Sequence, residues 1–138
     1  MLQRIQSVWL LLASLFDAIT FRFPFFRGDW LKDTIPYDID LNARTTIWLS
    51  ILSVVAGVLA FITIFLFNNR RLQLKLCYVG IFLTAVLLTV YFLEMANFSS
   101  GTVALWCIFY FAILACYIFA ARGIWKDEKL IKSMDRLR

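Results

Sequence analysis

Between Ile47 and Phe67 the chain runs for 21 residues, IWLSILSVVAGVLAFITIFLF, without a charged side chain. As a helix this stretch is about 31 Å long at 1.5 Å per residue, the thickness of a bilayer's hydrocarbon core. Lipid offers no partner for backbone N–H and C=O groups, so a segment of this kind must satisfy them internally, as a helix does. Three more apolar blocks occur at 5–21, 76–93 and 103–121. Hydrophobic residues make up 62% of the chain and the mean hydropathy is +0.80. Soluble domains hold about 45–50% apolar residues, and the excess here is concentrated in the four blocks. The longest polar stretch, 22–46, has only the size of a loop. The 138 residues therefore read as a single membrane domain.

The first block, IQSVWLLLASLFDAITF, is the most polar, with Gln6, Ser7, Asp17 and Thr20. No small-x-small cleavage site follows its apolar core, so it reads as an uncleaved span. Pro24 should end the helix there. The loop 22–46 balances Arg22, Arg27, Lys32 and Arg44 against Asp29, Asp33, Asp38 and Asp40, and its Phe, Trp and Tyr residues suit the headgroup layer. Asp38 and Asp40 lack the further oxygen ligands that calcium needs; Asp40 or Asn42 is expected to cap the second helix. In that helix Ser53/Gly57 and Ala56/Ala60 lie four residues apart, a spacing that lets a neighbouring helix approach closely. Asn97–Gly101 is read as a tight uncharged turn. Ala112, Cys116 and Ala120 form a second small-residue seam.

The last block gives way to a charged tail, 122–138, which holds six Lys or Arg and three acids. On a helical wheel Ile124, Leu130, Ile131, Met134 and Leu137 share one side, within about 140°. Lys126, Lys129, Lys132 and Arg136 lie opposite, and Asp127 intrudes on the apolar arc. The tail is expected to be an amphipathic cytoplasmic helix. Trp125, Lys126, Lys129, Lys132 and Arg136 are its candidate contacts with the membrane surface or a protein partner. Four spans would put both termini on one face. That face would hold ten of the 14 basic residues, namely Arg4, Arg70, Arg71, Lys75 and the six of the tail. The excess places both termini in the cytoplasm by the positive-inside rule. It also accounts for the net charge of +5 without nucleic acid as a partner.

Two stretches carry a family resemblance. The opening Met1-Leu2-Gln3-Arg4-Ile5-Gln6-Ser7-Val8-Trp9-Leu10-Leu11-Leu12-Ala13 resembles that of a family of small four-span Bacteroidetes proteins, catalogued as a domain of unknown function. The closing Lys126-Asp127-Glu128-Lys129-Leu130-Ile131-Lys132-Ser133-Met134-Asp135-Arg136-Leu137-Arg138 is similar to that family's C-terminus. The resemblance implies a four-helix protein of a bacterial inner membrane. It supplies no activity, ligand or catalytic residue.

The chain has no His, which removes His-based triads, general bases and zinc sites. Its five Gly are isolated, so no phosphate loop exists. Cys107 and Cys116 are nine apart, about 180° around a helix, and cannot grip one metal together. No enzyme and no cofactor is expected. Asp17 is the one acid within a span, in the outer half of the first, and a charge at the bilayer centre costs about 2.5–3.5 kcal/mol. The first reading makes Asp17 structural, reaching water or pairing with Arg22 or another loop cation. The chain would then be a structural or accessory subunit of an inner-membrane assembly. The alternative is a small proton-coupled transporter that uses Asp17. The expected fold is all-α: four transmembrane helices in a bundle, with the cytoplasmic helix appended.

Overall fold

The computed structural model describes residues 2–30, 38–66 and 69–135. Its elements in chain order are α1 (Leu2–Thr20), β1 (Phe26–Trp30), β2 (Asp38–Leu41), α2 (Ile47–Phe65), α3 (Arg70–Met95), β3 (Phe98–Val103) and α4 (Cys107–Asp135). Three of them, α2, α3 and α4, are long and apolar enough to cross a membrane, while the apolar part of α1, Ile5–Thr20, is shorter. The helices form a closed ring in which α1 and α3 each touch both α2 and α4.

The chain is mostly helical, as its apolar blocks require, but it is not all-α. The two connections expected to be loop and turn instead build a three-stranded antiparallel sheet in the order β2-β1-β3. Phe26 stands opposite both Leu41 and Val103, and Gly28 stands opposite both Ile39 and Gly101. A Cβ on Gly28 would run into the Ser100 carbonyl, so glycine is what lets β1 and β3 close. Phe98–Val103 is thus a strand where a turn was expected. The ladder to β1 satisfies backbone groups that a turn would leave to water.

Several boundaries also shift. α1 ends at Thr20 ahead of Pro24, and the Arg22 and Phe23 N–H groups both donate to the Ile19 carbonyl, at 3.0 and 3.1 Å. The cap of α2 is Thr46, with no side-chain hydrogen bond. Neither expected cap serves. Asp40 instead accepts from the Arg27 guanidinium across the β1–β2 pair, and the Asn42 side chain accepts from the Arg44 N–H at 2.8 Å. α4 begins at Cys107 because Val103 belongs to β3, and it continues unbroken through Arg122 into the tail.

The core has two parts. Near the sheet, Phe25, Phe26, Leu41, Leu49, Leu87, Leu88, Tyr91, Phe98 and Tyr110 join the strands to the helix ends. Farther away, Leu10, Ala13, Ala60, Cys77, Ile113, Cys116, Tyr117, Ala120 and Ile124 fill the middle of the ring. The small-residue seams face inward here. A Cβ on Gly80 would overlap the Tyr117 ring, and the Tyr117 hydroxyl donates to the Ala56 carbonyl at 2.6 Å. The outer surface reverses the pattern of a water-soluble domain. Ile51, Val54, Val58, Phe61, Phe82, Phe92 and Phe111 are exposed, while Asp17, Thr20, Ser53, Thr63, Gln73 and Thr84 are buried. That arrangement suits lipid as the solvent.

Candidate functional site

Asp17 lies one turn before the end of α1, on the side that meets α2. Only 4% of it is exposed. The Ser53 hydroxyl donates to Asp17 Oδ1 at 2.7 Å. Opposite the other carboxylate oxygen is Gly57, where even a Cβ would collide with the carboxyl group. Ser53 and Gly57 are four apart, so one face of α2 supplies both the hydrogen bond and the space. Thr20, one turn on from Asp17, donates to the Asp17 backbone carbonyl at 2.6 Å and has its hydroxyl 3.5 Å from that of Ser53. From α4, the Tyr110 hydroxyl donates to the carbonyls of Thr20, at 3.2 Å, and Phe23, at 3.0 Å. The unwinding end of α1 is thereby pinned. Next to it the Tyr91 hydroxyl is buried without a hydrogen-bond partner among the described residues.

A cavity of about 370 Å³ opens beside the carboxyl, lined by α1 residues Ser14, Asp17 and Ala18, by Phe21, and by Val54, Gly57, Val58 and Phe61 of α2. Its mouth is on the outer, apolar surface, where Val54, Val58 and Phe61 are exposed. Ser53 and Gly57 are six and ten residues into α2, so Asp17 sits about 9–15 Å down from the sheet end of that helix. Among the described residues no cation pairs with it. The expected pairing with Arg22 is not formed: the partner of Asp17 among the described residues is the Ser53 hydroxyl, inside the helix ring.

The opposite end holds a second buried polar pair. Gln6 Nε2 donates to Asp127 Oδ2 at 2.6 Å, and both residues are buried. A Cβ on Gly123 would come within 2.8 Å of Gln6 Cγ. Asp127, which looked like a flaw in the apolar arc of the tail, is what anchors α4 to the start of α1. Of the tail candidates, Trp125, Lys126 and Lys129 are exposed, with Lys129 Nζ 5.7 Å from the Trp125 ring centre. Lys132 pairs with Glu128 at 3.0 Å, and Arg71 of α3 approaches the same carboxylate at 3.8 Å. Arg136 lies outside the described residues. The structure brings none of Trp125, Lys126, Lys129 and Lys132 to Asp17. Among the described residues no three His, Cys, Asp or Glu side chains come together as metal ligands.

A family model described as a domain of unknown function, DUF4293, matches residues 2–137. The chain belongs to that family. No curated protein and no solved structure matches it. The DUF4293 description carries no activity, so the chemistry of this chain has to be read from its own side chains. Sequence reasoning found Asp17 but missed Ser53, Thr20 and Tyr110 around it. Ser53 stood out only as a small residue, yet a hydroxyl four residues from Gly57 in an uncharged run was the available signal.

Proposed function

We propose that this DUF4293 chain is a four-span protein of a bacterial inner membrane, with both termini in the cytoplasm, and that Asp17 is the proton-binding group of a small proton-coupled transporter. The observation that carries the reading is the Asp17 carboxyl: buried at membrane depth, beside a cavity, with one hydroxyl and, among the described residues, no cation as partner. A structural carboxylate in such a place is expected to have a charge partner; a carboxyl that exchanges a proton does not need one.

Support for the fourth span comes from α1 and α4. They touch at Tyr110–Thr20 near the sheet and at Gln6–Asp127 at the other end, so they run antiparallel. Fourteen residues of α1 separate those contacts, about 21 Å at the helical rise. If α4 crosses the bilayer, α1 traverses most of the same thickness. Both connections that form the sheet then lie outside, and the basic helix ends lie inside.

The test uses the full chain in liposomes and a lipid-soluble carbodiimide, which attacks protonated carboxyls in apolar surroundings. Labelling at Asp17 is expected at acidic pH and should fade as pH rises. Asp17→Asn should stay inserted and stable but fail to complement a deletion strain, while Asp17→Glu complements. Complementation by the Asn variant would return Asp17 to a structural role. That accessory reading has one observation in its favour: α4 extends past the other helices with Trp125, Leu130 and Met134 exposed, a face suited to a partner at the membrane surface.

A further inference from the structure

We infer that the groove between α3 and α4 at the basic end of the molecule binds the headgroup end of an anionic phospholipid from the adjoining leaflet. The groove is a cavity of about 250 Å³ lined by Tyr78 and Ile81 of α3 and by Ile118, Ala121, Arg122 and Trp125 of α4. None of these residues belongs to the Asp17 site.

The polar groups that line the groove define the ligand's chemistry. The Arg122 guanidinium and the Trp125 indole N–H can only donate hydrogen bonds, and the Tyr78 hydroxyl can donate as well. Arg122 is exposed, and among the described residues it has no ion-pair partner. No carboxylate lines the groove. A ligand must therefore bring acceptor oxygens and negative charge, as a phosphodiester does. Exposed Lys75 and Lys126 lie three residues before Tyr78 and four after Arg122, adding positive charge on the same helix faces one turn toward the basic end.

The layering of the groove selects a lipid over a soluble anion. α3 runs from the basic end toward the sheet, so Ile81 is one turn deeper than Tyr78. α4 runs the other way, so Ile118 is one turn deeper than Arg122. A ring of donors thus sits above an apolar floor. Tyr78 and Trp125 are each more than half exposed, at the level where their amphipathic rings suit a headgroup layer. Arg122 is the first charge after the apolar run 103–121, and Tyr78 lies just inside the run 76–93. A phosphate at Arg122 would place acyl chains against Ile81 and Ile118. The site needs α3 and α4 to cross the bilayer and does not depend on proton binding at Asp17.

The full chain, purified in a neutral detergent, should be titrated with phosphatidylglycerol, phosphatidylcholine and soluble glycerol phosphate. Bound lipid is counted by native mass spectrometry and stability followed by thermal unfolding. One phosphatidylglycerol per chain should survive conditions that strip phosphatidylcholine and should raise the melting temperature. Arg122→Gln should weaken its retention at least tenfold. Trp125→Leu, a second exposed position whose change leaves the core intact, should weaken it less. Lys132→Gln, outside the groove, should retain it. Equal retention of phosphatidylcholine, equal loss in Lys132→Gln, or glycerol phosphate binding as tightly as the lipid would each overturn the inference.

Discussion

Asp17 and Gly57 are coupled by direct contact, because the carboxyl occupies the space that a side chain at position 57 would need. Gly57→Ala must push the carboxyl off Ser53, and overpacking of this kind costs about 1–3 kcal/mol. In an Asp17→Ala background the same change should be nearly neutral. A double-mutant cycle by thermal unfolding in detergent measures the difference. Additive effects would mean that the two residues do not share the space. At the sheet, Arg27 and Asp40 make a different kind of pair, exposed and bidentate. The hydrogen bond from Arg27 holds the Asp40 carboxyl below the usual carboxylate range and raises the guanidinium further. The sign follows from the depressed value. The contribution of the pair is present above the ordinary Asp range and is lost as pH falls through the lower folded value. An NMR titration of Asp40 should show a midpoint below that of an unpaired Asp. A midpoint at the ordinary value would exclude the pair, and Asp40→Asn should change stability little, since the pair is exposed.

At the scale of elements, α4 is one continuous helix whose last turns are held by a buried side-chain pair. Asp127→Ala would leave the Gln6 amide buried without its partner, a loss of about 1–3 kcal/mol. Amide exchange across 124–135 should quicken in that variant while exchange in α2 stays unchanged. Unchanged exchange at both places would mean the tail is held by other contacts. The helices were legible in the sequence because each needs only a long apolar run, and the run 47–67 maps onto α2 with its end two residues earlier. The sheet was not legible. Phe26–Trp30 and Phe98–Val103 show no clean alternation, and each carries a glycine that reads as a turn signal. Those two strands pair across about 70 residues of sequence, which no local pattern records. Asp127 was visible as a misfit on the apolar arc, but its meaning required Gln6, 121 residues away.

Across the whole molecule, buried hydroxyls, amides and carboxyls face one another inside a ring of helices whose outer surface is apolar. Among the described residues, the sheet closes the end near Arg22, Arg27 and Arg44, and Arg70, Arg71, Lys75, Arg122, Lys126, Lys129 and Lys132 lie toward the other. Both sheet-forming connections must lie on the same side of the membrane, since β1 follows α1 and pairs with β3, which follows α3. What separates four spans from three is α1, whose apolar part Ile5–Thr20 is shorter than the other apolar helices and which carries Asp17. The deciding measurement is therefore the sidedness of both termini in the same cells. Compartment reporters should be fused before Met1, after Arg138 and within 29–40. The proposed topology predicts both termini in the cytoplasm and the 29–40 insertion outside. A cytoplasmic C-terminus with an N-terminus on the outer side would mean that α1 does not cross, and would remove Asp17 from the membrane interior on which its proposed role depends.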